Sequence, residues 1–109
     1  MPVLLCHCTC PDADTARAIA TTLVEERLAA CASLQPGVES VYRWQGRVER
    51  AGEVLLVAKT TRARLEALTA RIQALHPYDV PEILAIEVAG GSPAYLDWVE
   101  AATRPDGTA

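Results

Sequence analysis

Three thiols and an imidazole stand together near the start of the chain, in Cys6-His7-Cys8-Thr9-Cys10. A second histidine lies far along it, in His76-Pro77-Tyr78-Asp79-Val80-Pro81-Glu82. Thiolates and imidazoles hold soft and borderline metal ions, copper and zinc among them. Spacing decides which of them can act together. In a strand, alternate residues share a face and lie roughly 6.5–7 Å apart. Two thiolates on one zinc, each at about 2.3 Å, lie within roughly 4 Å of each other. A regular strand therefore disfavours Cys6 with Cys8, and lets Cys8 meet Cys10 only if it ends between them, which Pro11 allows. The competing interpretation makes Cys6 and Cys31 small buried hydrophobes. His76 likewise has two interpretations. It is a ligand in a loop whose path two prolines fix and which adds a Tyr and two carboxylates, or a helix-stop residue whose ring bonds a backbone carbonyl.

Other chemistry is sparse. There is no Gly-x-Ser-x-Gly elbow and no phosphate-cradling glycine loop, since Gly90-Gly91-Ser92 reads as a plain turn. A Cys8–His76 thiolate–imidazolium pair would lack an oxyanion hole, so binding rather than catalysis is expected and no enzymatic reaction is assigned. Lys59 is the single lysine and ends an apolar run. A site needing a compact ammonium would explain it, and so would a strand-end side chain reaching water.

The elements that must position these groups follow from periodicity. Residues 3–8 form a buried strand. Asp12 or Asp14 caps a helix through about Leu28, with Ile19 and Leu23 on its inner face. Residues 30–34 form a short strand interrupted at Gln35-Pro36-Gly37, and 38–44 continue it with Val38, Ser40, Tyr42 and Trp44 on one side. Gln45-Gly46 turns the chain back antiparallel, Gly52 marks a bulge, and 54–60 is an apolar strand. Thr61 caps a helix carrying Leu65, Leu68, Ile72 and Leu75, and His76-Pro77 stops it. Residues 83–88 read as a last, central strand, and Pro93 opens a C-terminal helix over 93–102. The fold class is α+β, a ferredoxin-like βαββαβ sandwich with an extra C-terminal helix. The domain spans 1–103, and 104–109 form a polar, frayed tail. Three strands carry apolar residues on both faces, yet two helices cover only one. A second copy of the chain is expected to cover the other, packed sheet to sheet.

Composition sets the outer bounds. The chain has 109 residues, half of them hydrophobic, a net charge of −4, two Trp, three Tyr and no Phe. One domain with an aliphatic core follows, and disorder is excluded. The acidic balance argues against nucleic acid as a partner. No apolar run is long enough to span a membrane, and the N-terminus lacks the basic region of a secretory signal. A cytoplasmic protein with reduced thiols is expected, because disulfides are rare in that compartment.

Several short motifs occur together and in order. They are Cys8-Thr9-x-Pro11, Leu28-Ala-Ala-Cys31, Pro36-Gly-Val-x-Ser-Val-Tyr-x-Trp-x-Gly46, Lys59-Thr60, His76-Pro-Tyr-x-x-Pro-Glu82 and Tyr95-Leu-x-Trp98. From about Val3 to Trp98 the chain resembles the CutA family of divalent-cation tolerance proteins. The resemblance implies a homotrimer like that of the PII signalling proteins, with three sheets facing inward and the hairpin reaching a neighbour. It implies binding of Cu(II) or another divalent cation, with Cys8 and His76 at the ligand positions. Trp44, Lys59, Tyr78 and Glu82 would line the inter-subunit cleft. Some members carry a further His before the one matching His76, where this chain has Leu75. His7 and Cys10 stand where aliphatic or small residues are expected, either as replacement ligands or incidentally. Metal buffering, or reporting of metal to an unidentified partner, is the leading expectation. The alternative is a PII-like signalling trimer binding a small anion through Lys59, with metal binding incidental; a third possibility is a scaffold that anchors another protein.

Overall fold

The structure, a computed structural model, describes residues 2–107. Strand β1 (Val3–Cys10) leads into helix α1 (Ala13–Glu25), and strands β2 (Cys31–Trp44) and β3 (Arg47–Thr61) form a long hairpin. Helix α2 (Arg62–Leu75), strand β4 (Leu84–Glu87) and helix α3 (Pro93–Ala102) follow. The strands make one antiparallel sheet in the order β2-β3-β1-β4. That is the ferredoxin-like arrangement.

Local chemistry sets the element ends. Asp12 caps α1 by accepting the Thr15 amide at 2.7 Å. The helix stops at Glu25, short of the expected end at Leu28, because Arg27 turns left-handed at φ 60°. The Leu28 amide then reaches back to the Leu23 carbonyl at 2.8 Å, which satisfies an end-of-helix acceptor. Thr61 occupies the cap position of α2, but its hydroxyl makes no capping bond. The Arg62 amide instead donates to the Pro2 carbonyl. His76 leaves the helix in extended geometry, as a residue before proline must. Gln45 and Gly46, at φ 49° and 80°, form the tight turn whose twist matches a two-residue hairpin.

The structure corrects two further expectations drawn from the sequence. The bulge lies between Gln35 and Val38, not at Gly52, which pairs in register with Glu39. Pro36 has no amide for the ladder, so the slip falls there while β2 runs on without a break. The last strand is not central. It is the edge strand beside β1, and it covers Leu84–Glu87 only. Its apolar residues reflect an open face and not a position inside the sheet: Leu84 is 58% and Ile86 48% exposed.

The core lies between the sheet and the two main helices. Cys6, Cys8 and Cys10 of β1 and Leu56 and Ala58 of β3 meet Ile19 and Leu23 of α1 and Leu68 and Ile72 of α2. The alternate residues face the other way. There α3 covers one end, where Val99 packs with Val3 and Ala30. Leu5, Leu55, Val57, Leu84 and Ile86 form an apolar surface on the rest of that face. The described part of the tail, residues 104–107, closes a turn through the Gly107 amide and the Arg104 carbonyl. Met1 of the expected domain and the final two residues of the expected tail lie outside the described residues.

Candidate metal centre

At the end of β1, Cys8, Cys10 and His76 bring their donor atoms within 4.8 Å of one another. Strand alternation turns both cysteines toward the helices, and the end of α2 delivers His76 onto them. Cys8 and Cys10 are 0% exposed and His76 is 7% exposed. The strand does not end between the two cysteines, contrary to the condition set from spacing, because β1 runs through Cys10. Side-chain rotation about χ1 brings the sulfurs closer than their backbones.

The hydrogen bonds of His76 fix its tautomer. Its Nδ1 accepts the Tyr78 amide at 3.1 Å, so Nε2 carries the proton and donates to the Thr9 carbonyl at 2.8 Å. The ring thus bonds a backbone carbonyl, the helix-stop arrangement, while sitting beside two thiols. Ligation requires one of these contacts to yield. Release at Nδ1 gives up only the Tyr78 amide and keeps Nε2–H on a backbone carbonyl, the outer contact that ligating histidines usually retain.

The two neighbouring sulfurs perturb each other. A hydrogen bond from Cys8 to Cys10, together with burial, holds the Cys8 thiol well above the ordinary thiol range. The same hydrogen bond pulls Cys10 below it. The Thr9 carbonyl accepts from Cys8 Sγ at 3.9 Å as well as from His76 Nε2. Cys6, one step back on β1, does not join the group, and burial pushes its thiol up to about 11.

Beside the cluster lies a cavity of about 710 Å³ between the outer part of the hairpin and the loop after α2. Thr9, Trp44, Glu53, Tyr78, Asp79 and Glu82 are among its lining residues. Tyr78 donates its hydroxyl to Glu53 Oε2 at 2.9 Å, and burial followed by this carboxylate pushes the phenol up to about 12. Of the expected pocket residues, Trp44, Tyr78 and Glu82 meet here. Lys59 does not. It lies further along β3, paired with Cys31, where its Nζ donates to Ser33 Oγ at 2.6 Å. Glu53, Asp79 and Cys10 complete the region without having been assigned to the site. Cys10 carried a signal in its alternation with Cys8, whereas Glu53 follows Gly52 at a strand start with nothing local to mark it.

Cys6 and Tyr78 are both held neutral by the fold, so they contribute stability below their unfolded pKa and lose it as pH rises toward the folded value. Stability is expected to decline from about pH 9 to 11 through Cys6 and from about 10 to 12 through Tyr78. Urea midpoints measured across this range check it. Cys6→Ala should remove the earlier fall and Tyr78→Phe the later one.

Fold and site together define a ferredoxin-like α+β protein with a buried thiol–imidazole cluster beside an acidic, aromatic cavity. The sequence profile described as CutA1 divalent ion tolerance protein matches residues 4–102. Over 91 residues the chain is 53% identical to the divalent-cation tolerance protein CutA of Thermus thermophilus, covering 84% of this chain and 88% of that one. It is 42% identical over 104 residues to the chloroplastic protein CutA of Arabidopsis thaliana, covering 95% of this chain and 57% of that longer protein. The crystal structure of CutA1 from Oryza sativa superposes with a TM-score of 0.92 at 40% identity, covering 95% of each chain. The chain belongs to the CutA1 divalent ion tolerance family.

Proposed function

We propose that this protein binds a divalent metal ion, copper foremost, at Cys8 and His76, and serves metal-ion tolerance as a binding protein without a chemical reaction of its own. The observation that carries this is the convergence of thiol and imidazole donors within 4.8 Å at the end of β1. Their chemistry fits the ion: a thiolate and an imidazole suit Cu or Zn. Relatives named divalent-cation tolerance proteins support the same direction. The free thiols fit a reducing compartment, and the cytoplasm is the proposed location.

The working unit in this proposal is a homotrimer. Its support is the apolar surface formed by Leu5, Leu55, Val57, Leu84 and Ile86 opposite the helices, which a solitary chain would leave in water. Sheet-to-sheet contact would cover it and set the cavities between subunits. A small anion held in the cavity by Lys59 has less support, because the lining carries the carboxylates of Glu53, Asp79 and Glu82 and does not include Lys59.

Calorimetry with Zn(II) and Cu(II) under anaerobic conditions tests the site. Cys8→Ala and His76→Ala are each expected to weaken binding at least about tenfold, the lower end of losses seen even for outer-shell partners. Affinity should fall with falling pH, since both ligands must be deprotonated to bind. Wild-type affinity in both variants would remove the assignment.

A further inference from the structure

We infer that Cys10 joins Cys8 and His76 as a third ligand, and that this set takes a soft monovalent ion, Cu(I), in preference to divalent ions. The inference rests on the metal-binding site proposed above, keeps copper as its metal, and revises the oxidation state that the site prefers.

The donor set supplies the reason. Two thiolates and one imidazole form a soft set, and thiolates select Cu(I), zinc and iron–sulfur clusters over harder ions. Coordination number separates those candidates. A structural zinc site is almost always closed by four protein ligands. Among the described residues no further His, Cys, Asp or Glu joins Cys8, Cys10 and His76. The nearby carboxylate of Glu53 is engaged by the Tyr78 hydroxyl. Burial makes the missing fourth ligand more costly for zinc. With both cysteines fully buried, a site completed by water would need a polar, roomy enclosure, and the cysteines instead pack against Leu56, Ile72 and other core residues. Cu(I), which is stable with three ligands, has no such need.

Charge by itself does not favour the monovalent ion. Two thiolates and a neutral imidazole neutralise a monovalent ion with one negative charge left over, and a divalent ion completely. The monovalent complex therefore leaves an anion among buried groups, an apparent objection. That surplus lies at the site's edge, where β1 ends at Cys10 and the cavity opens beside Thr9, which lessens its cost without removing it. The carboxylates of Glu53, Asp79 and Glu82 line that cavity without a Lys or Arg among the lining residues, which favours arrival of a cation of either charge. Selection then falls to ligand softness and coordination number, and both favour Cu(I).

Anaerobic competition against bicinchoninate, a chromophoric Cu(I) chelator, tests this on the full chain, with zinc followed by a zinc chromophore. Wild type should hold Cu(I) and keep it when Zn(II) is added in equal amount. Cys10→Ser should lose about 100-fold or more in Cu(I) affinity, at or beyond the upper end of what outer-shell partners are worth, while Cys31→Ser, outside the cluster, should not. X-ray absorption of the copper-loaded wild type should show two sulfurs and one nitrogen, and needs no variant to fold. Wild-type Cu(I) affinity in Cys10→Ser, displacement of Cu(I) by equimolar Zn(II), or a sulfur-only or four-coordinate spectrum would overturn the inference. If Cys8→Ser and His76→Ala lose metal but Cys10→Ser does not, the metal-binding function stands and only the third ligand falls. If none of the three loses metal, both fall.

Discussion

Placing a carboxylate at Val57 is expected to abolish assembly. Val57 lies in β3, an inner strand, between His7 of β1 and Ser33 of β2, on the face turned away from the main helices. Its neighbours there include Leu5, Leu55 and Leu84, so the surface is apolar well beyond one side chain. In a trimer packed through these faces, the new carboxylate would sit in a dry contact. Lys59, two residues along the same strand face, already spends its ammonium on Ser33 Oγ. An ionised carboxylate without a partner is too costly to bury there, and would either stay wet or take up a proton. Sedimentation of Val57→Asp at pH 8 should therefore show monomer or irregular aggregate, where wild type is expected to run as a trimer. Val24→Asp on the solvent side of α1 carries the same charge change and should leave the wild-type species intact. A trimer that survives Val57→Asp would sink the sheet-to-sheet arrangement. A monomeric wild type would sink it more directly.

Leu56→Ala is expected to cost about 3 kcal/mol, within the range of about 2–5 measured for buried leucine truncations. Leu56 is fully buried and pairs with Cys8 on one side and Leu34 on the other. It shares a core with Leu23, Leu68 and Ile72 from both main helices, so the space it leaves is walled by rigid elements and collapses poorly. Against a domain stability of about 5–15 kcal/mol this is a large fraction. Urea unfolding at fixed protein concentration should show a lower midpoint with an unchanged slope. Val80→Ala, on a highly exposed loop residue, should change stability by less than about 0.5 kcal/mol. Because Leu56 braces the strand opposite Cys8, the variant should also weaken metal binding, which a purely global effect at native temperature would not do.

The candidate site was partly legible before any fold was known. Cys8 and His76 stood in short, specific motifs, and the prolines at 77 and 81 announced a fixed loop. Cys10 was legible only as one of two open alternatives, a replacement ligand or an incidental residue. Spacing along an ideal strand keeps alternate backbones apart, but side-chain rotamers decide how close the two sulfurs come. The tautomer of His76 was equally hidden, since it depends on a carbonyl of β1 and an amide of the following loop. Lys59 shows a different limit within one chain. Its rarity in the chain singled it out, but strand register carries it to the far end of β3 from the cavity.

Taken by itself, the sequence determined the order of elements, the acidic cap of α1, the hairpin turn at Gln45-Gly46, and the excess of apolar residues on both faces of the strands. Those are local properties: Asp12 can reach the Thr15 amide within its own turn, and Gln45-Gly46 turns the hairpin without help from elsewhere. Only the tertiary structure decided which strand lies at the edge, where the bulge falls, and that His76 meets Cys8 and Cys10 across the intervening helices and hairpin. Such contacts depend on register and packing between segments distant in sequence. A one-residue slip in β1 would turn both cysteines to the open face and leave His76 over the side chains of His7 and Thr9. The chemistry is written in the residue types, and its convergence belongs to the pairing of β1 with β3 beneath α2.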